Sequence, residues 1–315
     1  MISKLRIGVL VIILNFFASV ATTWGQVENP SLLQMAVPSL NIAPDARGGG
    51  MGDMGAATLP DINSQYWNAA KYAFMGSKAG VSLSYTPWLR KLVNDVALVN
   101  MTGYYKLGNS DLQAISASLR YFSLGEVNIW ENIGDVPYGL NPYEMAFDVA
   151  YSRKLSESYS MAVTLRYIRS DMGTDQNDES NAGNAFSADI SGYLEKYVLM
   201  GNAEALWSFG FNLSNIGSKI SYDGGNTNQY LPAKLTLGTG LLYPIDDYNQ
   251  IGVYLDLNKY MVPYAPQKKD GETDADFQAR EDDYKSWSSI SGMLKSFTDS
   301  PNGLLKEIMV SVGAE

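Results

Sequence analysis

From Ala79 onward, apolar and polar residues alternate in runs of roughly ten, separated by turn residues. Between Tyr159 and Tyr167, Met161, Val163 and Leu165 fall on one side, with Ser160, Ala162, Thr164 and Arg166 on the other. Between Leu206 and Asn215, Trp207, Phe209, Phe211 and Leu213 oppose Ser208, Gly210, Asn212 and Ser214. A period of two is the signature of strands. The pattern predicts about ten of them, near 79–86, 96–105, 113–122, 144–154, 159–168, 186–197, 204–215, 233–243, 249–258 and 307–315. Their polar side is built largely from Ser, Gly, Ala, Thr and Asn, whereas a soluble sandwich usually turns charged residues to water. An apolar side toward lipid and a small, polar side toward a lumen fit an all-β fold, a transmembrane antiparallel β-barrel over 79–315. Tyr85, Trp88, Tyr104, Tyr105, Tyr121, Tyr243 and Tyr260 gather near strand ends, where an interfacial girdle belongs.

The links sort by length. The second, fourth, sixth and eighth are short, while those near 123–143, 169–185, 216–232 and 259–306 are long. Bacterial outer-membrane barrels show this asymmetry, which predicts periplasmic short turns and extracellular long loops. The loop 259–306 is too long for a bare turn; it holds a charge-dense stretch and then a short helix near SISGMLKSF. The last predicted strand lacks a terminal aromatic residue, so the barrel is expected to continue past the residues given. Residues 26–78 alternate little and form an expected N-terminal plug, with an amphipathic helix from Asn63 to Ala73.

Composition narrows the chemistry. There is no Cys and no His, which removes disulfides, thiolate metal sites and the commonest general base. The net charge of −10, with no basic run, excludes nucleic acid as a partner. At the N-terminus, Lys4 and Arg6 precede the apolar stretch Ile7 to Ala21, then Thr22, Thr23 and Gly25. This predicts a signal peptide over 1–25; the apolar run is shorter than the ~20 residues of a spanning anchor, the alternative.

Gly48, Gly49, Gly50, Gly52 and Gly55 invite comparison with a phosphate loop, but no strand precedes them and no GK[ST] follows. Glycines also permit close backbone packing, as in a segment folded against a barrel wall. Asp148, Asp189, Glu204 and Asp256 fall at inward positions and are expected to meet Arg120, Arg166 or Lys234 in a satisfied charge network. Asp171 to Asp178 is a weak calcium candidate without EF-hand spacing, and no metal or cofactor is assigned.

The segment from Pro44 to Phe74 carries a specific resemblance. Pro44, Asp45 and Arg47 lie in a PDAR motif, Gly50, Gly52 and Asp53 in a GMGD step, and Tyr66, Trp67 and Asn68 in a YWNAAK block. In these motifs, and in DLNKYMVP and SVGAE further on, the chain resembles the PorV/PorQ family of the type IX secretion system, found in Bacteroidetes. The resemblance implies a barrel like that of the fatty-acid transporter FadL. Such a barrel has roughly fourteen strands in full, within the range of such barrels, of which about ten are present here, and the N-terminal segment sits in its lumen. It also implies a cargo carrier. Its partners would be the translocon barrel, the C-terminal domains of secreted cargo, the sortase complex that attaches cargo at the cell surface, and outer-membrane lipid. Trp130, Tyr138 and Tyr143 are the candidate contact anchors, with membrane-interface anchoring as the alternative. Two other readings remain: a FadL-like channel for hydrophobic small molecules, and a lipopolysaccharide deacylase. The absence of His removes a Ser–His pair for the latter.

Overall fold

The computed structural model describes residues 33–315 apart from 89, 92, 94, 109–110, 130–136, 174–181, 202, 226, 270 and 301–302. The expected signal peptide and Trp130 lie outside the described residues, as does most of the candidate calcium stretch. Ten long strands form one antiparallel sheet. They are β1 (Ala79–Pro87), β2 (Val96–Leu107), β3 (Gln113–Leu124), β6 (Tyr143–Lys154), β7 (Tyr159–Asp171), β8 (Gly183–Met200), β9 (Ala203–Gly217), β10 (Lys234–Pro244), β11 (Gln250–Tyr260) and β12 (Met309–Ala314). Apart from a short hairpin, each strand pairs with its sequence neighbour, and β1 and β12 are the two edges. That hairpin, β4 (Val127–Ile129) and β5 (Tyr138–Leu140), stands inside the stretch expected to be a plain loop.

Alternation decides which side of the sheet is which. On β3, Ala114, Ser116, Ser118, Arg120 and Phe122 are buried, while Ile115, Leu119 and Tyr121 are exposed. On β7, Ser160, Ala162, Thr164 and Arg166 are buried; Val163 and Leu165 are 51% and 67% exposed. The fold is thus inside-out relative to a water-soluble protein. A fully exposed Leu or Phe forgoes about 1.5–3 kcal/mol of burial, and the outward face carries large exposed apolar residues on every long strand from β1 to β11. A continuous apolar face of this extent marks lipid contact. Among the described residues no helix is long and apolar enough to cross a membrane, so crossing falls to the strands.

Irregularities are local. The β8–β9 register shifts between Ala188 and Ile190, opposite Asn215, which has a positive φ of 58°. Asn tolerates that left-handed conformation better than most residues. The expected helix from Asn63 to Ala73 is two short pieces, α2 (Ser64–Trp67) and a 3-10 turn (Ala69–Phe74), broken where Asn68 turns extended. Beyond β11, the long loop holds α3 (Asp274–Ser286) and α4 (Ser289–Lys295). The charge-dense stretch is helical because Thr273 caps its N-terminus and Asp274 and Asp276 fall in its positive first turn.

Candidate functional site

The buried, small side of the sheet is occupied by residues 36–75. Contacts run from β2, where Lys106 Nζ donates to the Met75 carbonyl (2.8 Å), to β12, where Gly313 faces Met51 and Met54. Between them, Ser160 on β7 donates to the Ala70 carbonyl (2.8 Å) and Ser208 on β9 to that of Ala57 (2.6 Å). The sheet therefore wraps around this segment. Small inward residues are required for the segment to fit: a Cβ on Gly210 would lie 1.9 Å from the Ala56 carbonyl oxygen.

The motif residues meet around Trp67. Asp45 caps helix α1 (Ala46–Gly50), accepting from Gly48 N (2.8 Å), and its second oxygen accepts from Trp67 Nε1 (2.7 Å). Gly48 and Gly55 lie flat on the indole, where a Cβ would come within 2.3 and 2.4 Å of ring atoms. Gly50 has open space around it, and Gly52, at φ 82°, and Asp53, at φ 58°, make the turn that ends α1. Arg47 reaches the far side, binding Asp61 (2.6 Å) and both oxygens of Glu315 (2.9 and 2.5 Å). Asn68 donates to the carbonyls of Ala56 (2.8 Å) and Gly192 (2.9 Å) and accepts from Ala70 N. Tyr66 stacks on the Arg120 guanidinium at 4.6 Å, and Arg120 donates to the carbonyls of Ser39 and Ile42 (both 2.8 Å). Pro44 is buried and makes no side-chain hydrogen bond, as its chemistry requires.

Two charge clusters hold this arrangement. Arg166 bridges Asp148 and Asp189 (2.8 Å each), and Asn215 joins them by accepting from Arg166 and donating its N–H to Asp189 (2.7 Å). Asp256 accepts from Gly55 N (2.9 Å) and Ala56 N (3.1 Å). Lys71, fully buried, donates to the Gly55 carbonyl (2.8 Å) and Thr58 (3.0 Å), and burial lowers its pKa. Four of these charges depart from expectation: Asp256 and Arg120 bond backbone groups of the segment instead of a partner charge. Glu204 is exposed beside the short β8–β9 turn, and among the described residues Lys234 makes no ion pair within 4 Å. The reason is positional: the lumen segment does not extend to Glu204, while around Lys234 it leaves a gap. That gap, bounded by Asp53, Tyr66, Arg120, Asn212, Lys234 and Asp256, has about 20 Å³ of water-centre space, enough for one or two waters.

Gln65 and Glu144 lie outside the sequence motifs, whereas Lys71 closes the YWNAAK block. Gln65 bridges Ser116 (2.6 Å) and Asp148 (3.3 Å), and Glu144 accepts from Ser39 N (3.0 Å). The available signal was a polar residue at an inward position of β6, which marks Glu144 but not its partner. At the long-loop rim, Tyr143 lies on the outward face, stacked on Tyr121 at 5.4 Å and accepting from Arg169 (3.0 Å). Tyr138 belongs to β5. A separate groove of about 340 Å³ runs between Gln229, Tyr230 and α3, lined also by Gln34, Glu281, Tyr284 and Lys285. Among the described residues no cluster of carboxylates could hold a metal.

An inside-out antiparallel sheet wrapped around an internal segment defines an outer-membrane β-barrel with an occupied lumen. The family described as Type IX secretion system protein PorV matches residues 26–268, about three-quarters of the chain, and the chain belongs to that family. It is therefore an outer-membrane component of type IX secretion. No curated protein matches the chain.

Proposed function

We propose that this protein is a carrier: it binds the C-terminal signal domain of secreted cargo, docks on the type IX translocon and delivers cargo to the surface attachment complex. The observation that carries this reading is the packing of residues 36–75 against the inward side of the sheet. Residues 36–75 tie to nearly every strand of the wall, and the gap beside Lys234 has room for a water or two. A diffusion channel needs an apolar pocket or a path, and a segment with this many buried polar partners is costly to displace. Binding then falls to the rims and the outer face. In this reading residues 1–25 are a cleaved signal peptide, the short turns face the periplasm and the long loops face outward. Trp130, Tyr138 and Tyr143 and the groove beside Tyr230 are the proposed contact residues.

The test is affinity purification of the tagged protein from native outer membrane in mild detergent, with partners read by mass spectrometry. Recovery of a large translocon barrel with exported proteins sharing a C-terminal domain is the expected result. Recovery of the protein alone with bound fatty acid would replace the carrier with a channel for hydrophobic molecules.

A further inference from the structure

The last third of the long loop does not stand above the barrel; it folds down over the outside. Met293 of α4 packs with Ala233 and Met261 and against Leu213, Ile216 and Leu235. Leu213 and Leu235 are cross-strand partners on the outward side of β9 and β10. The next residue in that row is Lys259 of β11, paired in register with Leu235. A lysine at an outward position of a lipid-facing wall is costly unless paired and covered. Lys259 is both. Its Nζ lies 2.7 Å from Glu307 and 5.3 Å from the centre of the Phe297 ring, and it is only 6% exposed. The loop residues that cover it therefore sit between the wall and whatever surrounds it.

The other side of this cover is apolar. Ile290 and Leu294, one turn apart on α4, are 65% and 68% exposed, and Leu305 is 82% exposed. Below them the outward row continues into Leu257 and its β12 partner Val310. Lys295 lies 3.5 Å over the Trp287 ring, a Trp–Lys pairing suited to the headgroup level of a bilayer. The neighbouring α3 has no buried residue and is dominated by charge, as expected of a helix in water.

We propose that residues 287–300 and 303–309 form a membrane-interface collar, with α4 and the turn at 304–307 lying on the outer wall and inserting Ile290, Leu294 and Leu305 into the adjoining lipid leaflet. Continuity with the lipid-facing row selects lipid as the occupant. The proposal rests on the barrel assignment and not on the carrier reading.

The chain contains no cysteine, so single environment-sensitive labels can be placed without altering other residues. The full-length protein is labelled with a nitrobenzoxadiazole fluorophore at Ile290→Cys, Leu294→Cys and Leu305→Cys. Gln278→Cys on α3 serves as the aqueous control and Leu165→Cys as the mid-wall control. It is then reconstituted into phosphatidylcholine–phosphatidylglycerol vesicles. The expected result is several-fold stronger quenching by shallow doxyl lipid than at Gln278, with protection from iodide. Iodide access equal to that of Gln278 overturns the proposal. So does protection seen in native outer-membrane vesicles but lost in pure lipid, which would assign the face to a protein partner.

Discussion

Of the segments that are not part of the ten-strand wall, residues 33–78 lie within it and the described residues of 261–308 at and over one rim, and these two solve opposite problems. The inner segment is enclosed, so each of its polar groups must find a partner from the protein. Asn68, Asp45, Lys71 and Gln65 are almost wholly hydrogen-bonded to backbone or to inward side chains. The outer segment has water on one side: α3 is held largely by local contacts, among them the Thr273 cap, the Lys285–Glu281 pair and Arg280 on Glu272. The enclosed segment is thus specified by shape and hydrogen bonding, and the rim segment by propensity and charge. Substitutions should separate the two.

The largest effect is expected at Arg166. Arg166→Ala leaves Asp148 and Asp189 buried without their counter-charge, a loss of about 3–5 kcal/mol, read as a lowered urea midpoint of the folded barrel in vesicles. Retention of the wild-type midpoint would mean that these carboxylates are not enclosed. Next comes the close approach at Gly210. Gly210→Val drives a side chain into the Ala56 carbonyl and should cost at least the roughly 1–3 kcal/mol typical of overpacking, with residues 43–78 becoming open to protease. Gly50→Ala, in open space within the same motif, should leave both readouts unchanged. Trp67→Phe keeps the ring under Gly48 and Gly55 but leaves an Asp45 oxygen without its donor, for about 1–3 kcal/mol.

The smallest effect belongs to the rim. Glu272 is held near a pKa of about 2 by hydrogen bonds from Arg280 and from Lys269 N–H. A carboxylate whose folded pKa is depressed stabilises above its unfolded value of about 4.3 and loses that contribution as pH falls through the folded one. Hydrogen exchange of residues 268–286 should accelerate between about pH 4.5 and pH 2, while the lumen segment keeps its protection over the same range. Exchange that is flat across that window would show that the pair does not anchor α3.

Strand positions were readable because alternation and burial are nearly the same fact here: apart from Leu98, Phe122 and Ile168, the buried residues at even positions of β2, β3, β6 and β7 are mostly small or polar. The β4–β5 hairpin and α3 escaped notice since three-residue strands and a helix without an apolar stripe leave no periodic trace. For the site, the unusual residues stood out, and the reason for the glycines did not. That Gly48 and Gly55 share one indole follows from a turn of the chain at Gly52 and Asp53 that no local pattern encodes. The failure of Asn63 to Ala73 to form one helix has a physical cause as well: Asn68 gives up helical geometry to bond the carbonyls of Ala56 and Gly192.

The link from Arg47 to Glu315 spans 268 residues, and the neighbouring contacts of Met51 and Met54 with Gly313 join the same two parts of the chain. Such contacts carry a high loop-closure cost and are expected to form late. The residues synthesised early must therefore wait, tethered but unseated, until strand β12 arrives to hold them. Insertion of this barrel is then a process with a built-in order, in which the wall is laid down strand by strand and the interior is held at this edge only once β12 is in place.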